Sequence, residues 1–538
     1  MTVLRALAVS MGLLTAGLAA APGVQASPST APAPGVPASP SGPPVPAAQA
    51  SPPPDGPSTA TASRSPADQL PPAPAGLRAV AVTDTTVTLS WSPSTAESGI
   101  AHYRVLRDGS TQGRVTGTTF TDTRLNVATD HHYSVVAVDN RGISGYASPA
   151  IVVRTTGTIP PMPAHPVRMG VFHENGSHQR DFHLKNLVTS GTAAGLTHLT
   201  YAFGTVRDGG CAVTDTYSAL ERAYSAELSV SGRADTWDQP LRGYFHQLAE
   251  LKKRHPQIKI LWSFGGPGSS GGFEQAMRDP AAFAGSCARL LDDPRWAGLF
   301  DGIDLAWQFP DECYHNCTDT SPGPASLTSM VQAFRTAFGP HRPITVTSAG
   351  RGNLGAGLYR TDFAAAAPYV DWFHLGTYDY YTPVGTFRTP FASPHAALRD
   401  ETVEGDFGGN AHNHLRFLTA QGVHPNKLVL GIPTHARGWA GVRTPEPGSH
   451  SYGPAAGTYE AGREDYRLIR TRCPGPRTFS GTAYSHCGTD WWSYDTPATV
   501  TGKTAYARQY GLGGAYLSDL RGDTPDAELM TALHNGLR

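Results

Sequence analysis

Between residues 87 and 138, apolar and polar side chains alternate in three short runs: Val87, Leu89 and Trp91, then Tyr103 and Val105, then Tyr133, Val135 and Ala137. Gly, Ser and Asp turns separate them. A period of two is that of a half-buried strand, and several such strands predict a β-sandwich over residues 71–157. Beyond a Pro-rich hinge at 158–166, containing Ile159-Pro160-Pro161-Met162-Pro163, the pattern changes. Short apolar strands beginning near Arg168, Thr197, Ile258, Asp301, Pro343, Asp371, Lys427 and Leu512 alternate with helix-length stretches such as Phe245 to His255, Phe273 to Leu291 and Pro497 to Tyr510. Eight strand–helix units over residues 167–538 predict an α/β fold, a TIM (β/α)8 barrel behind the sandwich, with its chemistry at the C-terminal ends of the strands.

The first 70 residues belong to neither domain. Arg5, the apolar run Ala6 to Ala20 and the small-residue site Val24-Gln25-Ala26 read as a signal peptide over residues 1–26. The run is too short to span a bilayer, and Pro22 and Gly23 break it. Residues 27–70 are Pro, Ala and Ser, an extended spacer that buries no core. A secreted, extracellular protein is therefore expected. Its 42 Lys and Arg against 43 Asp and Glu give a net charge of −1, without the basic excess that nucleic acid or a membrane surface requires. A neutral partner and a monomer are expected. Six cysteines in an exported chain read as disulfides. Cys313 with Cys317 and Cys473 with Cys487 are the preferred local pairs, leaving Cys211 with Cys287, although the sequence alone allows other connectivities. His412-x-His414 lies in a polar stretch and reads as solvated, so no metal and no cofactor are expected.

The stretch Phe300-Asp301-Gly302-Ile303-Asp304-Leu305-Ala306-Trp307-Gln308-Phe309-Pro310 carries the most information. Alternation puts Asp304, Ala306 and Gln308 on one side of a strand, facing the barrel interior, with Gln308 at the rim. Here the chain resembles glycoside hydrolase family 18, the chitinases, whose strand reads Asp-Gly-x-Asp-x-Asp-Trp-Glu-Tyr-Pro. Asp301, Gly302, Asp304, Trp307 and Pro310 match, whereas Ala306 replaces the last aspartate and Gln308 the acid glutamate. Further family pieces follow in order: Thr197 to Phe203, Trp262-Ser263-Phe264-Gly265-Gly266, Thr377-Tyr378-Asp379, Arg437-Gly438-Trp439 and Gly513-Gly514-Ala515. Likewise, Val87 to Trp91, Tyr103 to Val105 and Tyr133 to Asp139 resemble a fibronectin type III domain, with His131 at its usual corner tyrosine.

The resemblance implies substrate-assisted hydrolysis of β-1,4-linked N-acetylglucosamine. A glutamic acid protonates the leaving oxygen while an aspartate orients the attacking acetamide. Gln308 has no proton to give and Ala306 cannot orient, so a chitin-binding protein with little or no hydrolysis is expected. A residual chitinase and a scaffold for a protein partner are the alternatives. Tyr378, Asp379, Arg437 and Trp439 are the expected sugar contacts. Asp304 is the one carboxylate left in the catalytic set with Ala306 and Gln308. Without its partner it is expected, like Asp301, more as a hydrogen-bonded group of the barrel core than in catalysis, and Trp491 and Trp492 more as packing than as stacking platforms. Ser518 stands where related chitinases have a tryptophan floor, Gly376 replaces a methionine, and His435 falls near a family tyrosine. Gly268-Ser269-Ser270-Gly271-Gly272 spells the G-x-S-x-G of acyl hydrolases, but Ser270 lies too far beyond its strand and reads as loop.

Overall fold

The computed structural model describes residues 70–538, apart from 108–109, 124, 126, 177–179, 267–269, 308–322, 324, 350–360, 386–387 and 400–408. The expected signal peptide, the spacer up to residue 69, Gln308 and the pair Cys313 and Cys317 lie outside the described residues.

The alternating runs form the predicted sandwich. Arg78–Val82, Val87–Ser90 and Thr119–Asp122 make one antiparallel sheet, and Ser110–Val115, Ile100–Arg107 and Asp130–Asp139 lead the other. The alternating positions Val87, Leu89, Trp91, Tyr103, Val105, Tyr133, Val135 and Ala137 all lie in its core. Tyr133 donates its buried hydroxyl to Asp122 at 2.8 Å, and Arg107 neutralises that carboxylate.

The barrel is a closed ring of eight parallel strands: β1 (Val167–His173), β2 (His198–Arg207), β3 (Lys259–Gly265), β4 (Gly302–Ala306), β5 (Ile344–Ala349), β6 (Trp372–Gly376), β7 (Leu428–Pro433) and β8 (Gly514–Ser518). β8 pairs with β1 and β1 with β2, which closes the ring. Each strand alternates between two buried faces. Ile303 and Leu305 of β4 enter the large core shared with the helices, whereas Val167, Met169, Val429 and Tyr516 fill the interior. The expected helix from Phe273 to Leu291 is two helices, Gly272–Ala276 and Pro280–Leu291. Pro280 has no N–H to continue a helix, and Asp279 starts the second by accepting from the Ala282 amide at 2.9 Å.

Between β7 and β8 an antiparallel insertion rises from the rim, with strands His435–Ala440, Arg463–Asp465, Thr482–Cys487 and Asp490–Tyr494. Trp439, Trp491 and Trp492 are fully buried in it. Disulfides join Cys211 to Cys287 and Cys473 to Cys487. Among the described residues no helix is long and apolar enough to cross a membrane.

Candidate functional site

The C-terminal ends of the strands gather the predicted residues, beginning with β4. Asp304 points inward and is 1% exposed. It accepts from Ser263 Oγ at 2.6 Å, Thr345 Oγ1 at 2.7 Å and Thr347 Oγ1 at 3.1 Å, and lies 3.1 Å from His374 Nδ1. Burial alone would push its carboxyl up, but His374 and the hydroxyls hold it below the usual range. It is a saturated core anion on four strands. Asp301 is not part of that core. It sits just ahead of β4, where Lys252 and Lys259 pair with it at 2.7 and 3.4 Å and the Ile260 amide donates to it. A strand's first turn of chain belongs to the barrel's floor, so alternation does not carry Asp301 inward.

Ala306 ends β4 and is 3% exposed. Its carbonyl accepts from the Gly266 amide at 2.8 Å and Ser270 Oγ at 3.3 Å, so the backbone is fixed while the side chain offers only a methyl. The same bond explains Ser270, which is tied down as loop. Trp307 stacks on Phe273, 5.2 Å between ring centroids.

The polar centre of the mouth is Asp379, just beyond β6. Its φ of 58° is left-handed, a cost that tertiary contacts must offset. Four donors surround its carboxylate: Arg437 Nε at 2.8 Å and Nη2 at 2.6 Å, His435 Nε2 at 2.9 Å and His395 Nδ1 at 3.2 Å. Burial would raise its pKa, but the Arg437 guanidinium and His435 hold it well below the carboxylate range. Burial in turn pushes His435 down to about 3, with Arg463 adding to it, and lowers His395, so both imidazoles are neutral donors. Asp379, His395 and His435 are residue types that hold metals and lie close enough to do so. A guanidinium on the same carboxylate makes the group a clamp for an anion instead, because a cation there would face Arg437 directly.

Tyr378 places its hydroxyl 3.3 Å from that of Tyr516, and burial raises its pKa. Trp439 is placed differently from the expected sugar contact. It is fully buried, packs edge-on against Trp491 at 5.7 Å and donates its indole N–H to the Thr389 carbonyl. Tyr378, Asp379 and Arg437 thus converge on the mouth, and Trp439, two residues beyond Arg437 on the same strand, is packing within the insertion.

Residues that the motifs do not single out complete the rim. Asp519, after β8, is gripped by Arg521 Nε at 2.9 Å and Nη2 at 2.6 Å, with His173 Nε2 of β1 at 3.9 Å. Glu174, after β1, accepts from the Tyr201 hydroxyl at 2.8 Å, and burial pushes its carboxyl up to about 7. His395 belongs to a long connection after β6 and Arg521 to a single 3-10 turn after β8, and no motif in the sequence marks either. Together these groups form a rigid array of donors and acceptors suited to hydroxyls and amides, with a methyl where β4 would supply a carboxylate.

Comparison with known proteins agrees with this geometry. The sequence profile of the glycosyl hydrolases family 18 matches residues 168–523, and that of the fibronectin type III domain matches residues 72–154. Chitinase 63 of Streptomyces plicatus is 45% identical over 480 residues, covering 88% of this chain and 78% of its own. Chitinase C of Streptomyces lividans is 45% identical over 466 residues, covering 86% and 75%. The catalytic domain of psychrophilic chitinase B from Arthrobacter TAD20 superposes with a TM-score of 0.64 at 30% identity, covering 69% of this chain and 95% of that one. The chain belongs to glycosyl hydrolase family 18, carrying a fibronectin type III domain ahead of its barrel.

Proposed function

We propose that the barrel mouth binds chitin or a related β-1,4-linked N-acetylglucosamine glycan and hydrolyses it little or not at all. Tyr378, Asp379 and Arg437 supply the polar contacts. The observation that carries the second half is Ala306: the inward position at the end of β4 is a methyl on a fixed backbone. Nothing there can orient an acetamide or balance its charge, and the next position on that face, by alternation, is Gln308, which has no proton to transfer. Losing a positioned acid alone removes about 10²–10⁴-fold of rate. Export is part of the reading, supported by the two disulfides and the apolar run Ala6 to Ala20.

A working chitinase is the second reading, and similarity to proteins named chitinases supports it better than a role limited to binding. It requires an acid from elsewhere, and Glu174 at the rim, with its pKa near 7, is a carboxyl that keeps its proton near neutral pH. Titration with chitin oligosaccharides beside a turnover assay separates the two readings. Binding without turnover is expected. Turnover that is lost in Glu174→Gln would establish the second reading, and absence of binding would overturn both.

A further inference from the structure

We propose that Arg463, backed by Arg521 and His173, makes the β8 side of the mouth a subsite for a carboxylate carried on an N-acetylhexosamine chain. This rests on the glycan reading above and adds to it the class of substituent recognised.

Arg463 lies directly opposite Arg437 in the antiparallel ladder of the insertion. Opposed residues share a face, and Arg437 reaches Asp379 on that face, so Arg463 is turned toward the same mouth. Like charges directly across a ladder repel. Arg437 is neutralised by Asp379, but Arg463 has no equivalent. Its contact to Glu460, at 3.3 Å, is to a side chain 53% exposed and therefore screened by water. Its other carboxylate, Asp519, is 3.8 Å away and already held through both oxygens by Arg521. The Nε of Arg463 is buried and has no hydrogen-bond partner among the described residues. The side chain as a whole remains 24% exposed, so a ligand can reach it.

A guanidinium whose only carboxylates are screened by water or shared with another arginine gains from an acceptor of its own, and an incoming carboxylate supplies one at its exposed edge. The surroundings point the same way. Ser518 ends β8 where a stacking floor would lie, Arg521 Nη1 donates to Asn175 at 2.6 Å, and His173 is 3.9 Å from Asp519. This wall offers hydrogen-bonding groups in place of an aromatic face, and Arg463 supplies the charge. Chitin has no carboxylate. A chain alternating N-acetylglucosamine with its 3-O-lactyl ether keeps the β-1,4 backbone and adds one on every second sugar.

The test is calorimetric titration of the full-length protein with a chitin tetrasaccharide and with the tetrasaccharide that alternates in lactyl ethers, at low and at high salt. The acidic glycan is expected to bind about tenfold more tightly at low salt, with the advantage shrinking as salt rises. In Arg463→Gln the advantage should vanish while neutral affinity stays. Equal affinity for the two glycans, a preference insensitive to salt, or one that survives in Arg463→Gln overturns the subsite and leaves the glycan reading intact. Binding of neither glycan ends the glycan reading and the subsite with it. Should Arg463→Gln fail to fold, the salt dependence of the native preference decides alone.

Discussion

Asp379 shows how one side chain at the mouth is held in its conformation and charge by others. Its left-handed backbone, its partial burial and its negative charge are each unfavourable alone, and Arg437 with two neutral imidazoles offsets all three. Arg437→Met should therefore do more than remove a contact. It leaves a largely desolvated carboxylate with only neutral donors, at a cost of about 2–3 kcal/mol in denaturant unfolding, and it weakens chitin-oligosaccharide binding. An unchanged unfolding midpoint would show that the pair contributes nothing. At the end of β4 the argument runs in reverse. Gln308→Glu alone restores an acid without a partner to align the acetamide, so it should recover little turnover. Ala306→Asp with Gln308→Glu should recover more than the two singles combined, because groups that act as a unit are not additive. Steady-state hydrolysis of a chromogenic chitin oligosaccharide checks this, and additive or absent gains in the double variant would show that the missing carboxylates are not what limits the site. Tyr378, Asp379 and Arg437 were legible in the sequence because each falls within a short motif at a strand end. His395 and Arg463 were not, since they reach the mouth through a loop and through a ladder of the insertion, and no local spacing encodes either approach.

Among the elements, the eight barrel strands begin within two residues of the positions read from apolar runs. Parallel strands buried on both faces are apolar almost throughout, so the pattern marks them clearly. The helices after β3 were read as one because the apolar period continues across Asp279-Pro280, while the missing proline N–H breaks the chain of hydrogen bonds. The insertion left no comparable signal. Its short strands carry Trp439, Trp491 and Trp492 inward, and an indole reads equally well as core packing or sugar platform until its surroundings are known. Within this element the bridge from Cys473 to Cys487 closes a loop with a sequence separation of 14. Chain entropy gives such a loop about 3 kcal/mol. The paired substitution Cys473→Ala with Cys487→Ala should lower stability by about that amount, measured by denaturant unfolding. It should also weaken chitin-oligosaccharide binding, because the insertion carries His435 and Arg437, which hold Asp379, to the rim. Full stability in the double variant would mean that the hydrophobic core of the insertion holds it without the bridge.

At the scale of the whole molecule, charge and burial combine into a dependence of stability on pH. Burial pushes His173, His198 and His414 down to about 4 and His435 down to about 3, against an ordinary 6.5. Each imidazole takes up its proton more readily in the unfolded chain than in the native one. Between pH 6.5 and pH 4 the unfolded state therefore binds protons that the folded state refuses, and stability falls as pH falls. Glu174, raised to about 7, and Asp523, raised to about 6, work the other way, since their folded forms hold protons that the unfolded carboxylates release. Four histidines outweigh two carboxyls with shifts of similar size. Asp304, Asp379 and Asp519, all held low, add a further loss once the pH drops below the ordinary carboxylate range. Thermal unfolding should accordingly shift down by on the order of 5–10 °C between pH 7 and pH 4.5. His414, read from the sequence as solvated, is buried against Ser348, and His414→Gln, whose amide can still meet that hydroxyl, should flatten part of the slope. A melting temperature that is level or rises toward acid would mean that these imidazoles are charged in the native state, and with them the pair of neutral donors around Asp379 would fail.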